Sequence, residues 1–212
     1  MFKQLLFSIF CLALVTSCGP DNNADAEAAQ ALADSLRADS IAAAQAMANS
    51  SQNYEVKVLN DSIPSHRMEL TGTVGGAPVT INYGSPAVNG RAIFGTLVPY
   101  GEVWRTGANE ATRITFGSDV MVGADKQALP AGTYSLFTIP AEQGEWTVIF
   151  NKTAEQWGSN GYDQTADAAR VSAQAMAADA PAERMAFGLD EATIKLMWAD
   201  RVVAIPVAPA GM

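Results

Sequence analysis

The chain has 212 residues, a formal net charge of −9 at pH 7 and a calculated isoelectric point near 4.5. This charge argues against a nucleic-acid-binding protein, which needs clustered Lys and Arg to neutralise phosphates. The single histidine, His66, excludes metal sites built from several histidines, and no cysteine follows Cys18 to serve thiol catalysis.

The amino terminus has the pattern of a bacterial lipoprotein signal peptide. Lys3 precedes an apolar run over residues 5–15, which is too short to span a hydrocarbon core of about 30 Å. The run ends in Val15-Thr16-Ser17-Cys18, which resembles the lipobox whose cysteine becomes the diacylated amino terminus. We therefore predict removal of residues 1–17, lipidation of Cys18 and anchoring in the cell envelope. We expect the periplasmic face or the cell surface, at the outer membrane of a Gram-negative bacterium.

The composition then divides the mature chain into two parts. Residues 18–53 are rich in Ala, Asp and Ser, which predicts a polar tether whose alanines favour helix. Its apolar positions are too few and too uneven for a coiled coil. Residues 54–212 are richer in Val, Ile, Thr and aromatics, and their length suits a single domain.

Short alternating runs in this second part predict an all-β fold, an antiparallel β-sandwich with Greek-key-like connections. Hairpins are predicted at residues 123–126 and 199–200, and one helical turn at residues 165–169. His66 is predicted to lie in a solvated loop, between the first two strands. The predicted strands are residues 54–59, 68–74, 78–83, 103–105, 112–116, 120–122, 134–139, 146–151, 170–173, 184–189, 193–198 and 202–207.

One local motif has a structural explanation. The sequence Leu-Pro-Ala-Gly-Thr-Tyr at residues 129–134 resembles the tyrosine corner of Greek-key sandwiches. In that corner the tyrosine hydroxyl returns to upstream backbone. We therefore predict that Tyr134 stabilises the fold.

Seven blocks of the chain together resemble a family of envelope proteins classed as domain of unknown function (DUF) family 2911. The resemblance extends from about residue 70 to residue 207, and it implies a fold and a set of candidate positions but no reaction. The blocks are YGSP at 83–86, GRAIFG at 90–95, LVPYG at 97–101, VWRTGANEAT at 103–112, LPAGTYSLF at 129–137, WTVIFNK at 146–152 and QWG at 156–158.

The segment from Trp104 to Glu110 is the strongest candidate binding site, because it places several recognition groups within seven residues. Arg105 could bind a carboxylate or sulfate through two hydrogen bonds, and Trp104 could stack on a sugar or peptide ring. Asn109 and Glu110 could orient hydroxyl groups. Three further residues could complete the surface: Arg91, Tyr100 and Trp157.

A structural interpretation of the same segment is also open. Trp104 could fill the core, while Arg105 and Glu110 pair across a turn. The sequence alone does not decide between a binding loop and a loop that holds the sandwich together.

These patterns favour a non-catalytic module that binds an envelope glycan, peptide or protein partner, with no cofactor or metal. One alternative is a hydrolase or lyase in which Glu110 acts with Arg105 and a second acid such as Asp119 or Asp163. Another is a structural lipoprotein of an envelope assembly, which would expose an apolar patch. Acidic pairs such as Asp119 with Asp125 lack the dense alternation of a calcium loop.

Overall fold

The structure is a computed structural model that describes residues 53–211. The predicted signal peptide, Cys18 and the predicted tether before residue 53 lie outside the described residues. Within residues 53–211, no helix is long and apolar enough to cross a membrane.

The prediction of an all-β protein is confirmed. Ten strands form one antiparallel sheet in the order β1-β2-β3-β4-β7-β8-β9-β10-β5-β6, so the β5–β6 hairpin leaves chain order and pairs with the end of β10. A short 3-10 turn at Gln164–Ala166 confirms part of the predicted helical turn. The strands are β1 Tyr54–Asn60, β2 His66–Val74, β3 Ala77–Ser85, β4 Thr112–Phe116, β5 Val120–Val122, β6 Gln127–Leu129, β7 Gly132–Ile139, β8 Glu145–Asn151, β9 Asp167–Asp190 and β10 Thr193–Pro209.

The sheet folds over and encloses the main hydrophobic core, and a smaller cluster of Ala111, Phe137 and Ile149 is separate from it. Strands β2 and β3 contact β9 across the interior without being its hydrogen-bonded neighbours in the sheet. Alternation along each strand supplies the core side chains, as in β10, where Ile194, Leu196 and Trp198 are buried. Burial of Tyr83 in this core raises the pKa of its hydroxyl to about 12.

Several boundaries differ from the predictions, most clearly in the last two strands. The predicted hairpin at residues 199–200 is wrong, because β10 continues through this point with irregular register and a left-handed Ala199 (φ 50°). The predicted strands 170–173 and 184–189 are two ends of the single strand β9. The alanine-rich stretch between them hides the alternation by which strands are recognised.

Smaller corrections concern the segments around the site. Residues 103–105 form only an isolated bridge, between Trp104 and Thr138. His66 is the first residue of β2, opposite Ser85, rather than a loop residue. The predicted hairpin at residues 123–126 is confirmed, although the sequence did not indicate its second strand, β6.

Tyr134 is the tyrosine corner that the sequence predicts. Its hydroxyl donates to the carbonyl oxygen of Pro130 at 2.8 Å, four residues upstream. This hydrogen bond fixes the connection between β6 and β7.

Candidate functional site

The most exposed large hydrophobic side chain in the described residues is Trp157, at 72 % exposure. It lies in the loop between β8 and β9, where two backbone hydrogen bonds pair it with another loop. Ala111 N–H donates to the Gln156 carbonyl at 2.9 Å, and Gly158 N–H donates to the Asn109 carbonyl at 3.1 Å. Trp157 is therefore held beside Glu110 by a short stretch of β-pairing.

The loop that carries Trp157 is fixed from below by Asn151, which is fully buried at the end of β8. Its amide nitrogen donates to Asp163 O at 2.9 Å and to Asp167 Oδ1 at 2.8 Å, so both ends of the loop are tied together. Its amide oxygen accepts from Thr153 N–H at 3.0 Å and from the Gln156 side chain at 3.3 Å. A buried and fully used amide of this kind specifies one loop conformation.

Tyr162 closes the far side of the same loop. Its ring packs edge-on against Phe137 on the outer face of the sheet, with ring centroids 5.1 Å apart. Its hydroxyl donates to Asp167 Oδ2 at 2.7 Å, and Arg170 contacts both groups. Burial and this carboxylate together raise the pKa of Tyr162 to about 12.

The second loop, residues 105–111, is fixed by buried threonines. Thr112 Oγ1 donates to the Thr106 carbonyl at 2.6 Å, and Thr106 Oγ1 lies 3.2 Å from Thr138 Oγ1. Gly84 on β3 lets the loop approach the sheet, because a Cβ at that position would collide with the carbonyl oxygen of Ala108. Asn109 adopts a left-handed backbone (φ 64°), which asparagine tolerates better than most residues.

The two loops and the start of β2 enclose a cleft. Two cavities of about 350 and 430 Å³ share three lining residues, Arg67, Glu110 and Trp157. We call them together the Trp157 cleft. Arg113, Glu155 and Gln156 line the first cavity, while the loop after β1, including Ile63 and Pro64, lines the second.

Two ion pairs bring charges of both signs to the cleft. Arg67 Nη1 lies 3.1 Å from Glu110 Oε2, and Arg113 Nη1 lies 2.8 Å from Glu155 Oε1. The Arg67 side chain is only 15 % exposed, whereas Glu110 is 53 % and Glu155 is 83 % exposed. Burial lowers the pKa of Arg67, Glu110 opposes that shift, and the nearby Arg113 adds a smaller lowering.

Two buried polar atoms on the cleft wall have no hydrogen-bond partner within the described residues. They are Arg67 Nη1, a donor, and Gln156 Oε1, an acceptor. Arg67 Nη1 is close enough to Glu110 for an ion pair but is not aligned with it as a hydrogen bond. Gln156 Oε1 therefore keeps unused hydrogen-bonding capacity, while Arg67 Nη1 is held by the Glu110 carboxylate.

The structure brings together three of the seven predicted binding residues: Asn109, Glu110 and Trp157. Trp104 lies elsewhere, in the core at 8 % exposure, where it stacks on Trp198 and its Nε1 donates to the Gly107 carbonyl at 3.2 Å. Arg105 is half-buried, and burial lowers its pKa. Glu110 pairs with Arg67 and not with Arg105.

Arg91 and Tyr100 line a separate cavity of about 440 Å³ with Phe94, Pro181 and Asp200. The guanidinium of Arg91 is already engaged there, donating to the backbone carbonyls of Ala87 and Val88. These two residues are therefore not part of the Trp157 cleft.

The second acids considered for a hydrolase, Asp119 and Asp163, line neither cavity of the Trp157 cleft. Asp119 accepts from Ala131 N–H at 2.8 Å, and Asp163 accepts from Thr165 N–H at 2.9 Å, where it caps the 3-10 turn. The acid that shares a cavity with Glu110 is Glu155. Over residues 53–211 no three His, Cys, Asp or Glu side chains cluster in a way that could hold a metal ion.

Sequence reasoning missed Arg67, Arg113, Glu155 and Gln156. Gln156 was within reach, since it precedes Trp157 in the QWG block. Arg67 reaches the cleft only because β2 and β4 both flank β3 in the sheet. No local pattern in the sequence marks that proximity.

Comparison with known proteins gives one match. A family model described as a protein of unknown function (DUF2911) matches residues 65–207. No curated protein and no solved structure matches the chain.

Proposed function

The chain belongs to the DUF2911 family of proteins of unknown function, and from that premise we propose that it is a lipid-anchored envelope protein that binds a glycan. Binding takes place in the Trp157 cleft and involves no chemical reaction. The observation that carries this proposal is a tryptophan that is 72 % exposed and lines two cavities together with arginines and glutamates.

A glycan fits this combination of groups. Sugar hydroxyls both donate and accept hydrogen bonds, so one sugar can donate to the exposed carboxylates of Glu110 and Glu155 and accept from Arg113. The apolar C–H face of a pyranose ring stacks on an indole, and Trp157, which lines both cavities, presents such a surface. Their volumes fall within the range of small-molecule sites, about 300–1,000 Å³.

Binding is favoured over hydrolysis by the surroundings of the acids. A catalytic acid such as that of a glycosidase usually lies against apolar groups that favour its protonated form. Glu110 and Glu155 are instead more than half exposed, and each is paired with an arginine. Both are suited to accept hydrogen bonds from sugar hydroxyls.

The envelope location is supported by the sequence of the first 18 residues, with its short apolar run and the Val-Thr-Ser-Cys segment. Labelling of cells with a radioactive or clickable fatty acid tests it. The wild-type chain should incorporate the label and Cys18→Ala should not. Equal labelling of the two would remove the anchor from the proposal without affecting the cleft.

The glycan proposal is tested by calorimetry with a panel of neutral and acidic oligosaccharides. At least one should bind the wild-type protein, and Trp157→Ala should weaken that binding by about 1–3 kcal/mol, the range for loss of one stacking contact. Tyr100→Ala is the matched control, because Tyr100 is an aromatic residue in the separate cavity that Arg91 lines, outside the Trp157 cleft. Equal binding by wild type and Trp157→Ala would refute the proposed site, and binding of peptides in place of glycans would refute the ligand class.

A further inference from the structure

The two edges of the sheet are protected to very different degrees. The β6 edge is three residues long and its hairpin is tied to β9, since Asp125 Oδ2 accepts from Ser172 N–H at 2.9 Å and Gln127 Oε1 from Arg170 N–H at 3.2 Å. The β1 edge is seven residues long, and within the described residues it pairs only with β2. An edge strand with free backbone groups is a template for another strand.

The side chains of β1 extend the core face of the sheet into solvent. Val56 lies opposite Leu70 on β2, and Val58 lies opposite Met68, so these pairs share one face. Leu70 is completely buried in the core, yet Val56 is 41 % and Val58 is 55 % exposed. The apolar face therefore continues past the region that the opposite layer covers.

We propose that β1 pairs antiparallel with β1 of a second copy of this chain, about a two-fold axis at Val56. In this register Glu55 lies opposite Lys57 of the second copy, and Lys57 lies opposite its Glu55. Tyr54 lies opposite Val58 of the second copy. Cross-strand pairs of opposite charge, and of an aromatic with a β-branched residue, are the contacts that stabilise antiparallel ladders.

The charges select this register over its neighbours. An axis at Glu55 would place Glu55 opposite its own copy, and an axis at Lys57 would do the same for the two lysines, which destabilises the pairing. A shift by one residue would send the valines to the wrong face. Within one chain, Lys57 Nζ already lies 3.6 Å from Glu55 Oε2. The dimer would therefore place four charges of alternating sign next to one another.

The geometry of β1 limits the ladder at both ends. Its register against β2 is regular from Tyr54 to Val58 and breaks between Val58 and Asn60. The regular stretch is thus centred on Val56, which is the proposed axis. A ladder of this length buries less than a standard interface of about 1,600 Å², so we expect a weak dimer that is best detected by covalent capture.

Disulfide capture in the full chain, expressed in cells, tests the register. Across a two-fold axis at residue 56, the two Cα atoms would be about 4.5–5.5 Å apart, within disulfide range. At residue 58 they would be about 13 Å apart, since the register separates them by four residues. Under mild oxidation Val56→Cys should form a disulfide-linked dimer several-fold more than Val58→Cys, a control with a similarly exposed side chain.

Exchange of the charges on β1 is the second test of the register. In both tests the unsubstituted chain shows how much disulfide-linked dimer forms through Cys11 and Cys18. In the Val56→Cys chain, adding Lys57→Glu should reduce the dimer several-fold, and adding Glu55→Lys as well should restore it. No dimer with Val56→Cys, equal capture with Val58→Cys, or indifference to Lys57→Glu would each overturn the proposal. None of these results depends on the Trp157 cleft, so glycan binding and dimerisation are tested separately.

Discussion

Trp104 and Trp157 flank the same loop, yet their surroundings are opposite. Trp104 begins the loop and is 8 % exposed, stacked on Trp198 with ring centroids 5.7 Å apart and in edge contact with Phe94. Trp157 pairs with the end of the loop and is 72 % exposed. One end of this short segment therefore packs in the core, and the other end lines the cleft. Residue type alone does not distinguish the two roles.

The largest difference between the two ends should appear on truncation of the tryptophans. Trp104→Ala removes a buried ring from the aromatic cluster and should lower the free energy of unfolding by about 3–5 kcal/mol. Trp157→Ala removes an exposed ring and should change it by no more than about 0.5 kcal/mol. Urea unfolding followed by circular dichroism measures both. Similar losses in the two variants would contradict the assignment of Trp104 to the core and Trp157 to the cleft.

The buried hydroxyls that join the core to the loop should give the next largest effect. Thr112→Val keeps the shape of the side chain but leaves the Thr106 carbonyl without the donor that now lies 2.6 Å away. The loss of a partner for a buried acceptor should lower the free energy of unfolding by about 1–3 kcal/mol. Thr115→Val is a control, since Thr115 is on the same strand but its hydroxyl bond to Thr133 is exposed. The interpretation fails if the two substitutions have equal effects.

Substitutions of Asn109 test whether the backbone of the loop is strained. Because its φ is 64°, Asn109→Ala should cost about 1 kcal/mol of stability through left-handed strain, whereas Asn109→Gly should be close to neutral. Thermal unfolding measures both. Equal melting temperatures for the two variants would show that the backbone at residue 109 is not strained.

The smallest effect on stability should come from Glu110. Although it pairs with the largely buried Arg67, it is 53 % exposed, and exposed ion pairs contribute about 0–1 kcal/mol. Glu110→Gln should therefore lower the free energy of unfolding by less than about 1 kcal/mol, as measured by urea unfolding. If the free energy of unfolding fell by several kcal/mol, the Glu110 charge would be a structural element of the loop, as Trp104 is.

How much of the fold the sequence predicts depends on how regular each strand is. Residues 112–116 and 120–122 alternate strictly, and their predicted bounds agree with β4 and β5. Strands β9 and β10 were each divided in two, because alanine has too little hydrophobic contrast to mark a face and Ala199 interrupts the period. The role of Tyr134 was predicted correctly because the local motif determines the hydrogen bond that its hydroxyl makes to upstream backbone.

The candidate site was predicted less completely, for a reason of topology. Asn109, Glu110 and Trp157 meet as the sequence suggested, but Trp104 points to the core, a distinction that depends on which face of the loop is covered. Arg67 is contributed by β2, which precedes the motif by about 40 residues. Such a contact follows from the order of the strands in the sheet, which no local sequence pattern indicates.

The most direct test of the Trp157 cleft is acrylamide quenching of tryptophan fluorescence, with and without a bound oligosaccharide. Of the four tryptophans in the chain, Trp104, Trp146 and Trp198 are buried and Trp157 is exposed, so quenching reports mainly on the cleft. We predict that saturating oligosaccharide protects the accessible fraction of the emission, and that this fraction is missing in Trp157→Ala. Tight binding of the oligosaccharide with unchanged quenching of Trp157 would contradict a glycan site in this cleft.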